Sequence, residues 1–229
     1  MTTTVRDPRT ARALLIAFAA VSVVHLLAIL VHLTLLQNLT KPLLMPLLAA
    51  WVWAGAAAAP RLLIPALLFG AGGDILLQFG TTPAFLAGMG SFALGHLCYV
   101  TMFVRLGAFA DRRRALLTAA GYAVAWGVLI SQLWPDLGDL QIAVAGYSLL
   151  LTATAVSSAG INGRAGLGGA LFLLSDTLIA TDLAHWKHLP GHGFLVMATY
   201  LAGQYLLTTG TLARTAAATA PAGAAVATA

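Results

Sequence analysis

The chain has no glutamate, a single cysteine and only two lysines in 229 residues. Only 8% of its residues are charged, against roughly 25% in soluble proteins, which excludes an ordinary water-soluble domain. The lone cysteine, Cys98, lies in an apolar run and excludes a disulfide framework within the chain. No long polar stretch is left from which a soluble domain could form. What is present is hydrophobic, 60% of all residues, gathered into long runs. The fold class that follows is all-α, a polytopic membrane protein with one membrane domain.

A spanning helix needs roughly 20 mainly apolar residues. Eight runs qualify as candidates: 13–36, 42–59, 62–79, 84–106, 115–133, 140–159, 165–183 and 193–212. Turn-forming residues separate them, from Gln37–Pro42 through Pro60-Arg61 to Leu189-Pro190-Gly191. The first run exceeds the ~7–15-residue apolar core of a cleavable signal, so it reads as a retained helix. The organisation expected is a cytoplasmic segment over 1–12, an eight-helix membrane domain over 13–212, and a disordered cytoplasmic tail over 213–229, rich in alanine and threonine.

The cations test this count. With the amino terminus in the cytoplasm, all ten arginines fall inside and only Lys41 and Lys187 fall outside. That asymmetry is the positive-inside pattern, and an odd number of spans would destroy it. Both termini are therefore expected in the cytoplasm, in a bacterial inner membrane. The net charge of +5 is spread over short loops, so no nucleic-acid partner is expected. The partners expected are membrane lipids and a lipid-like substrate.

Of the seven acids, Asp7 and Asp111 lie among cytoplasmic arginines, Asp136 and Asp139 in an external loop, and Asp182 near a helix end. Asp74 and Asp176 alone remain deep in apolar segments. A carboxylate at the centre of a membrane helix costs at least ~2.5–3.5 kcal/mol, and such residues usually face a partner or a cavity. Each sits about a dozen residues into an inward-to-outward span, which places both at similar depth in the outer half at 1.5 Å per residue. Matching depth is what a shared acid/base site requires.

Other buried polar residues gather in stripes. Gln78 lies one turn from Asp74; the fourth span carries Ser91, His96 and Tyr99; Ser175 adjoins Asp176; Tyr200 and Gln204 share a face of the eighth. One such group alone is usually an interhelical hydrogen bond, whereas four helices with stripes point to one polar pocket. His25 and His32 read as packing or interfacial residues. Lys41, before Pro42, is either an interfacial anchor or a headgroup contact at the pocket mouth. Glycines at close intervals, including Gly70, Gly72 and Gly73, Gly88, Gly90 and Gly95, and Gly168 and Gly169, read as close helix packing. His188 and His192 are spaced like zinc ligands, but Pro190-Gly191 breaks the turn that would align them, so no metal is expected.

Several strings together resemble the YhhN family, whose vertebrate members are membrane lysoplasmalogenases. They are Thr40-Lys41-Pro42-Leu43, Gly73-Asp74-Ile75-Leu76-Leu77, Phe85-Leu86-Ala87-Gly88, Ser91–Tyr99, Gly169–Asp176, and Tyr200 with Gln204. Thr177 stands where the family pattern often has serine. The resemblance implies hydrolysis of the vinyl ether bond of lysoplasmalogens to a fatty aldehyde and a glycerophospho-alcohol, with Asp74 and Asp176 as the catalytic pair and no cofactor. The chemistry agrees: proton transfer to a vinyl carbon needs one protonated acid, and capture by water needs one ionised carboxylate. The residues alone leave open which aspartate does which, and also a proton-coupled transporter that uses the two as a relay.

Overall fold

The computed structural model describes residues 6–187 and 189–219. Among them are eight α-helices: α1 Pro8–Leu30, α2 Thr34–Gly55, α3 Leu63–Leu77, α4 Thr82–Arg105, α5 Arg112–Leu133, α6 Gln141–Ala159, α7 Gly163–Leu183 and α8 His192–Thr219. Two 3-10 turns, Trp134–Asp136 and Gly138–Leu140, join α5 to α6. No strand occurs among the described residues. His188 lies outside them, so the His188–His192 string has no structural description.

The principal helix contacts run α1–α2–α3–α4–α6–α7–α8 and back to α1, closing a ring of seven. α5 stands outside it, against α6. Its surface is largely exposed apolar, including Leu116, Leu117, Val124 and Val128, which suits a face turned to lipid. Five helices are long and apolar enough to cross a membrane: α1, α4, α5, α6 and α7. α3 is apolar but has 15 residues, about 22 Å at 1.5 Å per residue. Polar residues lower the hydropathy of α2 and α8.

Local chemistry sets the ends. Asp7 caps α1, accepting from the backbone N–H groups of Arg9 and Thr10 at 3.1 and 3.2 Å and from the Thr10 hydroxyl at 2.6 Å. Those bonds, the Thr10 hydroxyl foremost, hold its carboxyl below the usual range. Asp111 and Asn162 cap α5 and α7 in the same manner.

The first break differs from expectation. α1 ends at Leu30, and Gln37–Pro42 lies inside α2. The reason is a Schellman closure: His32 takes φ +57°, its N–H bonds Ile29 O, and Leu33 N–H bonds Ala28 O. An ordinary histidine in the left-handed region gave no turn signal. Pro42 and Pro46 sit within α2, as membrane helices tolerate when neighbours satisfy freed backbone groups. Lys41 is thus a helical residue rather than a loop residue. α7 ends by the same closure at His185, φ +56°. The α2–α3 connection is also longer than Pro60-Arg61, running from residue 56 to 62. α8 continues to Thr219, past the expected span end at 212.

Glycines bring the ring together unevenly. A Cβ on Gly168 would stand 2.5 Å from Leu207 N, and one on Gly203 2.9 Å from Phe172 N, so α7 and α8 touch backbone to backbone. A Cβ on Gly73 would collide with the Phe92 ring, and one on Gly95 would lie 3.1 Å from Ala66 O. Gly90, grouped with these on sequence grounds, faces open space.

Candidate active site

Five ring helices deliver the polar groups to one region. α3 brings Asp74, which is 3% exposed. Its Oδ2 accepts from the Tyr200 hydroxyl of α8 at 2.8 Å, and Lys41 Nζ of α2 stands 3.6 Å from its Oδ1. α7 brings Asp176, hydrogen-bonded through Oδ2 to the Tyr147 hydroxyl of α6. The two carboxyl groups are near enough to act on each other electrostatically, and Tyr147 and Tyr200 each feel both. Each aspartate thus has its own tyrosine, but among the described residues only Asp74 has a cation beside it.

The remaining polar residues are spread between the site and its supports. His96 is buried beside Asp176's tyrosine, with Nε2 3.3 Å from Tyr147 Oη and Nδ1 3.0 Å from Thr154 Oγ1. Its ring packs 4.8 Å from that of Phe172. Phe172 and Phe92 in turn meet the Tyr200 ring edge to face, so an aromatic wall holds the two tyrosines apart. Tyr99 donates to Gln204 Oε1 at 2.7 Å, a buried α4–α8 link that uses both residues on each other. Ser91 donates to Phe69 O at 2.7 Å and Ser175 to Val196 O at 3.0 Å. These last four act as interhelical bonds around the site.

Three cavities run one into the next past Asp176. The widest, about 420 Å³, is lined by Lys41, Gln78, Asn38, His25 and Asp182. It shares Leu77, Phe85, Ile179 and Leu183 with a narrow waist of about 50 Å³, where Asp176, Tyr147 and Phe92 lie. Asp176 and Tyr147 also line a third of about 260 Å³, bounded by apolar residues of α5, α6 and α7 such as Leu129, Leu133, Leu151 and Leu173. At the polar end, Gln78 Nε2 is buried with no partner among the described residues, a donor free for a ligand oxygen. His25 Nδ1 bonds Thr40 Oγ1 at 2.8 Å and braces α1 on α2.

Sequence reasoning passed over Tyr147 and Thr154. α6 carries no acid, no histidine and no family string, and a single tyrosine in an apolar run is usual. The available signal was that a tyrosine buried in a membrane helix needs a partner for its hydroxyl.

The cavities run from a polar end at Lys41 and Gln78 to an apolar end beyond Asp176. Comparison with known proteins finds relatives of similar sequence. The human lysoplasmalogenase TMEM86B is 35% identical over 159 residues, 69% of this chain and 66% of the relative. The pig protein of that name is 35% identical over 144 residues, 62% of this chain and 59% of the relative. The lysoplasmalogenase of Mycobacterium tuberculosis is 32% identical over 178 residues, 71% of this chain and 67% of the relative. The chain thus spans about two thirds of the human relative's length and less of the pig relative's. No solved structure matches it significantly. The YhhN family pattern matches residues 36–211, which takes in every helix of the site, and the chain belongs to the YhhN family.

Proposed function

We propose that the protein is a membrane-embedded hydrolase that cleaves the vinyl ether bond of lysoplasmalogen-type lysophospholipids, with Asp74 and Asp176 as a general acid/base pair. The observation that carries this reading is the pair itself. Asp176 lines the waist between a polar and an apolar cavity. Asp74, from a separate helix and beside the Lys41 that lines the polar cavity, lies within electrostatic reach of it. The name shared by the relatives gives the substrate class.

The reaction balances with two carboxyl groups and one water. One carboxylic acid gives its proton to the vinyl carbon remote from oxygen, and the ether oxygen's electrons form an oxocarbenium ion. Water adds to that cation while the other carboxylate takes a proton from it, leaving a hemiacetal. The hemiacetal's C–O bond to glycerol then breaks. The leaving oxygen takes the proton back from the second carboxyl, and the hemiacetal hydroxyl returns one to the first. Aldehyde and glycerophospho-alcohol leave, and both aspartates are restored. Such a division of labour resembles that of carboxyl pairs in glycoside hydrolysis.

In this reading Lys41 and Gln78 meet the headgroup and glycerol, and the alkenyl chain lies in the apolar cavity between α5, α6 and α7. Asp176 faces the reacting bond at the waist, Tyr200 orients Asp74 beside it, and Ser91, His96, Tyr99, Ser175 and Gln204 hold the helices that carry the pair. The membrane domain has eight crossings with both termini in the cytoplasm of a bacterial inner membrane, α2, α3 and α8 crossing within the ring.

The test is product. Purified protein given a lysoplasmalogen should release fatty aldehyde, and the ester-linked lysolipid with the same headgroup should stay intact. Uptake of a solute into vesicles without aldehyde release would favour a transporter and end the hydrolase reading.

A further inference from the structure

Resting on the carboxyl pair proposed above, we infer that Asp176 holds the transferable proton and Asp74 the negative charge, the division being set by a hydrogen-bond relay, Asp176–Tyr147–His96–Thr154, that ends on a backbone carbonyl.

The relay is followed from its fixed end. Leu150 O can only accept, and the Thr154 hydroxyl lies 3.1 Å from it, so Thr154 donates there. A hydroxyl has one proton. Thr154 Oγ1 therefore accepts from His96 at 3.0 Å, which places hydrogen on Nδ1. A neutral imidazole has one N–H, so its Nε2 is an acceptor, and the Tyr147 hydroxyl 3.3 Å away donates to it. Tyr147 has then spent its proton. Its close contact with Asp176 Oδ2 is satisfied only when the carboxyl supplies the hydrogen, donating from O–H to the phenol oxygen. The relay run in reverse has Thr154 donating to Nδ1, Nε2–H to Tyr147 and Tyr147 to Asp176. It leaves the Thr154 hydroxyl 3.1 Å from Leu150 O with no hydrogen between them. Keeping that bond while Tyr147 donates to Asp176 makes His96 an imidazolium. That would place a cation in a fully buried ring against Phe172, with no carboxylate among its hydrogen-bond partners, an arrangement proteins avoid.

Asp74 has the opposite surroundings. Lys41 Nζ, which has hydrogens and no lone pair to offer, approaches one oxygen at 3.6 Å, and the Tyr200 hydroxyl donates to the other at 2.8 Å. Both partners come as donors, which an ionised carboxylate satisfies. The titratable groups facing Asp176 are Tyr147, Tyr200 and Asp74, with His96 behind Tyr147; those facing Asp74 are Lys41, Tyr200, Tyr147 and Asp176. The only cation in that set stands beside Asp74. In the reaction above, Asp176 is therefore the acid that protonates carbon, and Asp74 the base that takes the proton from water. Tyr147, His96 and Thr154 are positioning residues that keep the proton on Asp176 between turnovers.

Infrared spectroscopy of the purified protein, in a detergent free of ester carbonyls and without substrate, reads this directly. The expected result at neutral pH is a carboxylic-acid C=O band present in wild type and in Asp74→Asn, and absent from Asp176→Asn. Tyr147→Phe should shift that band, because the acid loses its acceptor, and Tyr200→Phe should leave it in place. Should Asp176→Asn not fold, the contrast between the two phenylalanine variants decides alone. A band lost with Asp74→Asn and kept with Asp176→Asn, or no band in wild type, overturns the assignment. The spectrum needs no substrate, so failure to cleave a lysoplasmalogen would remove the proposed activity while leaving the proton assignment to stand or fall separately.

Discussion

Asp74 and Lys41 illustrate how one residue's role depends on another's place. As a loop cation Lys41 would contact the headgroup alone, and Lys41→Ala would chiefly raise KM. Within α2, 3.6 Å from Asp74, it would in the proposed mechanism also support the charge that takes the proton from water. Lys41→Ala is therefore expected to raise KM and lower kcat together, in steady-state assays on a lysoplasmalogen. Asp74→Asn and Asp176→Asn should each lose at least ~10²-fold in kcat/KM while the protein still inserts and elutes as wild type. The double variant should be little worse than either single, because groups acting as one unit are not additive. Full activity in either single variant would remove that aspartate from the mechanism.

At the level of helices, packing distinguishes glycines that look alike in sequence. Gly168 lets α7 and α8 meet backbone to backbone, so Gly168→Ala should cost about 1–3 kcal/mol by overpacking. Gly90 in α4 faces open space, and Gly90→Ala should be neutral or add up to about 1 kcal/mol from helix propensity. Reversible unfolding in mixed micelles compares the two. Equal effects would mean that α7 and α8 are not as close as described. The helix ends teach a related lesson. Asp7, Asp111 and Asn162 cap α1, α5 and α7 with their side chains, and those helices begin beside them. The Schellman closures at His32 and His185 use a residue with no turn preference of its own, which moved the first break from Gln37–Pro42 to His32.

The described residues form a ring of seven helices with α5 outside. Eight crossings with an inward amino terminus require the chain to be cytoplasmic after α4 and after α8. Reporter fusions after Leu106 and beyond Thr219 should both report the cytoplasm; a periplasmic signal at either would break the eight-span topology. Five helices meet the length and hydropathy of a span by themselves. The other three, α2, α3 and α8, supply Lys41, Asp74 and Tyr200. Polar residues lower the hydropathy of α2 and α8, whereas α3 is apolar and falls short in length alone, so a test by length and hydropathy passes over three helices of the site.

The sequence by itself determined the class, the succession of apolar helices and the two aspartates worth attention. Those follow from local quantities, the hydropathy of a run and the cost of a carboxylate within it. The tertiary structure decided which groups meet. Tyr200 reaches Asp74 across 126 residues and His96 reaches Thr154 across 58, and nothing local marks such pairs. Tyr147, invisible in its apolar run, became the partner of Asp176 because α6 packs against α7. Two aspartates alike in sequence were made unlike by what the ring placed beside them: a cation for one, and for the other a phenol whose proton is directed to His96.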